Sequence, residues 1–241
     1  MTDWDLIEGD RPRRVMSTAR MIGPYFAIRL GTDSPGASAD EFFQPPHLRA
    51  LVDDVTRRLG TDEPRVAASS IQYEVAERLW SVVLGSWVMD GLVPDLGYLR
   101  YARSPVGRIR LHLEHPTAWE RPDATPVETA SVIAGVVVSR LTSLHVALRQ
   151  VARVADGLLW GNAATALMLA TQTLTSRGQP DRGLAAVSRA LLEMVPLADR
   201  LDGDVTGRIV RRTCCLYYRT AARRACGDCP LIDSAVVRSR A

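Results

Sequence analysis

The sequence predicts an α+β protein that is mostly α: a helical body, a small antiparallel β-hairpin and a C-terminal cysteine-rich segment. Three observations carry this reading. Apolar residues recur at helical spacing through most of residues 47–201, strict alternation replaces that spacing between Tyr98 and Leu113, and all four cysteines lie between Cys214 and Cys229.

In chain order, Tyr25–Leu30 reads as a strand, and the turn-rich Gly31–Ser38 and Pro45-Pro46 follow it. This first part is expected to wrap a core built by later segments. His47–Leu59 and Arg65–Met89 read as helices; in the second, Val66, Ile71, Val75, Leu79, Val82 and Val83 form an apolar stripe, and Pro64 is placed to open it. Leu99/Tyr101 and Ile109/Leu111/Leu113 alternate with polar residues on either side of Ser104-Pro-Val-Gly107, the pattern of a hairpin. Helical spacing returns over 126–154, over 156–175 with Asp156 as N-cap, and over 180–201. Asp202-Gly203-Asp204 reads as a turn, so the expected division is a mostly helical body at 1–202, the candidate ligand-binding region, and a cysteine-bearing segment at 203–241.

A chain of 241 residues that is 46% hydrophobic, with mean hydropathy −0.03, is long enough for a sizeable core. No stretch reaches the roughly 20 uninterrupted apolar residues of a membrane span, so none is expected, with peripheral association left open. The start carries Asp3, Asp5, Glu8 and Asp10 in place of a basic, apolar leader. That predicts a cytoplasmic protein whose thiols stay reduced. A net charge of +3 is too small to argue for nucleic acid. Every basic residue is Arg, and Arg208, Arg211, Arg212, Arg219, Arg223 and Arg224 crowd the cysteines.

Cys214, Cys215, Cys226 and Cys229 follow the pattern CC-x10-CxxC after 213 residues without a cysteine, which points to a metal site. A Cys214–Cys215 disulfide would be a strained vicinal ring in a reducing compartment. Four thiolates suit either a structural zinc or an iron–sulfur cluster. Zinc sites are usually built from two knuckles with intervening residues, whereas adjacent cysteine side chains diverge, which favours the wider [2Fe–2S] cluster over zinc. A straight helix from Cys215 to Cys226 would separate the Cα atoms by roughly 16 Å, so the segment must fold back. Gly227 permits a turn, Pro230 is expected to stop helical continuation, and Cys226 and Cys229 are expected to share one iron. Arg212, Arg219, Arg223 and Arg224 are candidates for tuning the potential or binding a partner, since cations offset the negative charge of the cluster.

The run from Arg211 to Arg219, with Cys214 and Cys215 at its centre, and the run Cys226-Gly-Asp-Cys-Pro-Leu231 resemble the C-terminal signature of the FhuF-like ferric siderophore reductases. Weaker likeness at Ala76–Ser81 and Leu159–Ala164 extends it over roughly residues 70 to 231. The resemblance implies a [2Fe–2S] protein that reduces iron(III) in siderophore complexes after uptake. No GxGxxG, P-loop or flavin signature is present, so electrons are expected from an external donor such as a ferredoxin or flavin reductase. A redox sensor or regulator and a zinc-stabilised binding protein are the alternative functions. His112 and His115 read as hairpin or surface residues, and His47 and His145 as structural ones. Trp160-Gly161-Asn162 reads as packing and capping at the start of a helix.

Overall fold

The structure, a computed structural model, describes residues 3–32, 36–104, 106–205 and 207–232. Residues 33–35 of the expected turn stretch, Pro105 of the hairpin loop and residues 233–241 of the expected tail lie outside them.

The N-terminal part is β1 (Asp5–Ile7), α1 (Asp10–Ala19), a 3-10 turn at Pro24–Phe26, β2 (Arg29–Leu30), β3 (Ala37–Ser38) and α2 (Ala39–Phe42). Helix α1 was not legible, because it buries only Pro12, Met16 and Ala19, a stripe too thin to stand out. The strand expected over Tyr25–Leu30 is corrected to its last two residues: Pro24 leads into the 3-10 turn, and only Arg29 and Leu30 pair with a neighbouring strand.

The body is built on α3 (Pro45–Leu59) and α4 (Pro64–Asp90), each opened by proline and each ended by a left-handed glycine, Gly60 and Gly91. Short strand β4 (Val93–Pro94) follows, then the expected hairpin of β5 (Arg100–Arg103) and β6 (Ile109–Leu113), with Tyr101 opposite Leu111 and Arg103 opposite Ile109. After β7 (Ala118–Glu120) come α5 (Pro126–Val151), α6 (Asp156–Ser176) and α7 (Leu184–Glu193). Asp156 is the first helical residue of α6, and the N-cap is Ala155. Helix α7 is shorter than the expected 180–201, because Asp181 turns the chain through its Oδ1 bond from the Gly183 amide (2.9 Å) and Met194 is extended. Residues 201–203 then enter a strand. The chain ends in β8 (Leu201–Gly203), β9 (Ile209–Arg211) and a 3-10 turn at Tyr217–Arg219.

Strands form three small sheets, ordered β1-β7-β4, β2-β6-β5-β3 and β8-β9. All ladders are antiparallel except β2 with β6. Helix α4 is the axis of the core: it packs on α1, α3, α5 and α6 and buries residues on every side, from Val66 to Val88. Helix α6 is its main partner and buries Leu158 to Met168 almost without interruption. Among the described residues, α5 alone is long and apolar enough to cross a membrane. Its stripe Ala130, Ile133, Val137, Leu141, Leu144 and Leu148 is fully buried, and the helix packs on α3, α4, α6 and α7, as a core helix does. His145 on the same face is buried, and burial pushes its imidazole down to about 3. The ring is therefore neutral and accepts at Nε2 from the Gln72 amide (3.0 Å).

Candidate metal centre

Strand β9 delivers the cysteines. Its last residue, Arg211, is followed by Arg212, Thr213, Cys214 and Cys215, so the hairpin that holds β9 in place sets the first pair. The expected division at residue 203 runs through β8, the partner of that strand. Val205 and Ile209 pack on Met168 and thereby anchor the hairpin to α6.

Beyond Cys215 the segment folds back without a helix. Leu216 and Arg223 both take left-handed backbone conformations, φ 68° and 46°, on either side of the 3-10 turn at Tyr217–Arg219. The Ala221 amide donates to the Leu59 carbonyl (2.8 Å), so the apex of the fold-back rests on the end of α3. Gly60 makes room for it: a Cβ there would lie 2.7 Å from the Ala221 methyl. Cys226 and Cys229 close a turn with the Cys229 amide donating to the Cys226 carbonyl (3.2 Å), and the Arg211 amide ties that loop to β9 by donating to the Asp228 carbonyl (3.1 Å). The result brings the Cys215 and Cys226 sulfurs to 3.4 Å. Residues 230–232 are helical, so Pro230 opens a turn of helix where a stop was expected. The backbone donors to sulfur come from the vicinal pair's side: the Leu216 amide reaches Cys214 Sγ (3.4 Å) and the Tyr217 amide reaches Cys215.

One buried guanidinium organises the site. Arg211 is only 2% exposed. Its Nε donates to Asp228 Oδ2, and its Nη1 donates to Asn162 Oδ1 at 2.6 Å. Asn162, fully buried in α6, donates through Nδ2 to the hydroxyl and carbonyl of Ser69 on α4. The Ser69 hydroxyl donates to the Cys215 carbonyl (2.7 Å). Thr165, one turn further along α6, donates to Asp228 Oδ2 (3.0 Å). The two central helices therefore grip both cysteine arms through one continuous polar network. On the body side of this network Ser69, Asn162 and Thr165 are all buried and all have their partners, which makes the network costly to break.

Charge follows from this geometry. Burial alone would push the Asp228 carboxyl up, but the Arg211 guanidinium more than offsets it and holds the group below its usual range. The Cys226 sulfur in hydrogen-bond contact and the Arg211 guanidinium nearby pull the Cys215 thiol down against its burial. The same bond and burial push Cys226 up, and burial pushes Cys214 up.

None of Arg212, Arg219, Arg223 and Arg224 joins this buried network. Arg212 pairs with Asp202 (2.8 Å) and Asp199 (3.5 Å), Arg219 pairs with Glu63 (2.7 Å), and Arg223 and Arg224 are exposed. The residues missed are Arg211, Asp228, Asn162, Ser69 and Thr165. Trp160-Gly161-Asn162 falls inside α6, so its role is not capping. Trp160 packs edge-on against His145, Gly161 admits Thr213, and Asn162 holds Arg211.

A cleft of about 740 Å³ opens beside the cysteines. Cys215, Cys226 and Arg211 form part of its wall, with Arg58, Arg108 and Arg208 among its cations and Tyr25, Tyr73 and Tyr217 among its aromatic residues. At the rim Tyr25 donates to Glu77, whose carboxyl burial pushes up from 4.5 to about 7. An acid raised in the folded state binds more protons there than in the unfolded chain between those values. Its contribution to stability is complete below about pH 4.5 and is lost as pH rises through about 7. Melting temperatures recorded across that window should fall less steeply for Glu77→Gln than for the unchanged protein; parallel curves would refute the assignment.

The donor set fits a two-iron cluster. It offers four thiols and a buried guanidinium, with two sulfurs near the separation expected on one metal. A helical body gripping such a loop is suited to hold an iron–sulfur cluster. More particularly, residues 211–231 match the family model of the FhuF 2Fe-2S C-terminal domain, which makes the cofactor a [2Fe–2S] cluster and bears out the resemblance over that segment. The match does not include the upstream segments at 76–81 and 159–164. No curated protein matches the chain.

Proposed function

We propose that this protein is a cytoplasmic ferric-siderophore reductase. The observation that carries the reading is that the Cys215/Cys226 pair and Arg211 form a wall of the cleft. At about 740 Å³ the cleft is within the range of small-molecule sites, roughly 300–1,000 Å³. Cys214, Cys215, Cys226 and Cys229 hold the cluster, which supplies storage for one electron when bound. The cleft holds the siderophore, and its arginines and tyrosines bind oxygen-rich chelating groups. Arg211 offsets the charge that accompanies reduction.

Each turnover takes one electron from an external donor, a ferredoxin or flavin reductase, and delivers it to siderophore-bound iron(III), giving iron(II). Hard oxygen ligands hold the softer, less charged iron(II) less strongly, and release follows. The chain's own residues need to move no proton in this step.

Anaerobically purified protein should contain about two irons per chain and give an EPR signal on reduction. Mixed with ferric siderophores of hydroxamate and catecholate type, the reduced protein should yield iron(II) trapped by a chromogenic chelator. Zinc at one per chain without iron would refute the cluster. A cluster that gives no iron(II) across these siderophores would refute the reductase and leave a redox sensor.

A further inference from the structure

We infer that Cys215 and Cys226 bind one iron of the cluster and Cys214 and Cys229 the other, so that the CxxC pair is divided between the two irons and only the Cys215/Cys226 iron faces the cleft. This rests on the four cysteines being cluster ligands and not on the identity of any substrate. Two thiolates on one tetrahedral metal, with metal–sulfur bonds of about 2.3 Å, lie about 3.8 Å apart. Cys215 and Cys226 are already near that separation, at 3.4 Å. They come from opposite arms of the fold-back, which explains why the segment turns at Leu216 and again at Arg223.

The other two sulfurs go together. Cys214 and Cys229 are absent from the cleft wall that Cys215 and Cys226 help to form. Cys229 is 4% exposed, against partial exposure for Cys226 three residues earlier, so the single turn at Gly227-Asp228 sends its two cysteines to different environments. The vicinal pair is divided too: Cys215 lines the cleft and Cys214 does not. A CxxC loop is ordinarily a chelate for one metal. Here the vicinal pair opposite it makes a crossed arrangement available, in which each iron ties the two arms together. Either iron alone would then hold the fold-back closed.

The test uses the full chain and reads the irons themselves. Oxidised Cys215→Ser/Cys226→Ser should show two ⁵⁷Fe Mössbauer doublets of equal area, one unchanged from the unsubstituted protein and one altered. Cys226→Ser/Cys229→Ser should alter both doublets. The reverse, with an unchanged doublet surviving only in Cys226→Ser/Cys229→Ser, would overturn the pairing. If the double variants assemble no cluster, paramagnetic NMR of the unsubstituted, reduced protein decides. The β-methylene signals of Cys215 and Cys226 should share one temperature dependence, and those of Cys214 and Cys229 the other. Matching behaviour of Cys226 and Cys229 would refute the inference. An unsubstituted protein without a two-iron spectrum would instead refute the cofactor itself.

Discussion

Arg211→Met should lower the reduction potential of the cluster and destabilise the fold by about 3–5 kcal/mol, the usual result of removing one partner from a buried ion pair. The guanidinium is the only side chain that touches both Asp228 in the Cys226–Cys229 loop and Asn162 in α6 among the described residues. Methionine fills part of the space but strands the Asp228 carboxylate in a half-buried setting beside thiolates. It also leaves the Asn162 carbonyl without its partner. Reduction adds negative charge, so loss of a nearby cation opposes it; an interaction of about 1–2 kcal/mol corresponds to about 40–90 mV for one electron. Adding Asp228→Asn removes the stranded charge and should restore much of the stability without restoring the potential. Arg211→Lys keeps the charge but cannot span both partners, so the potential should move less than the denaturation midpoint. Spectroelectrochemistry and urea titration measure the two effects separately. An Arg211→Met protein with unchanged potential and midpoint would show that the network does not act on the cluster.

Gly161→Ala should destabilise the protein by about 1–3 kcal/mol and speed loss of the cluster to a chelator. The sign is the informative part, because replacing glycine by alanine inside a helix ordinarily stabilises by roughly 0.5–1 kcal/mol. Here an added Cβ would collide with Thr213 Oγ1, one residue before the vicinal cysteines. The residue behind that oxygen is not the obstacle: Thr213 Cβ would lie 3.7 Å away, an ordinary contact. Thr213→Ala should therefore rescue Gly161→Ala, losing only the weak bond from Thr213 to the Gly157 carbonyl (3.3 Å). Thermal melts of the two single variants and the double, with the rate of iron capture by a chelator, complete the cycle. If Gly161→Ala melts higher than the unchanged protein, the close approach of tail to helix is wrong.

Both experiments act on contacts that the sequence shows only after the fold is known. The helices were legible because α3, α4, α5 and α6 carry long apolar stripes with proline at three of their starts, a signal that depends only on local spacing. The hairpin was legible for the same reason, since Leu99, Tyr101, Ile109, Leu111 and Leu113 all turn inward. Helix α1 and the end of α7 were not: one buries too little, and the other yields to β8, whose pairing with β9 is a long-range event. Within the arginine-rich run, nothing in residue type separates Arg211 from Arg212. The former ends a strand facing the core, and the latter points the opposite way to Asp202, as alternation along an extended chain requires.

What the sequence by itself singled out was the candidate donor set and the need to bring it together. Four thiols in sixteen residues, with adjacent cysteines at one end, call for a shared metal centre and forbid a straight helix between them. Tertiary structure alone decided how the arms meet, which cation is buried between them and which sulfurs line the cleft. Those choices follow from the surface that α4 and α6 present. Ser69, Asn162 and Thr165 lie 93 to 96 residues apart in sequence across the two helices, yet they form one row of hydrogen-bonding partners. Only a chain already packed around α4 holds that row in place, and the fold-back follows the path on which the Cys215 carbonyl, Arg211 and Asp228 meet those partners.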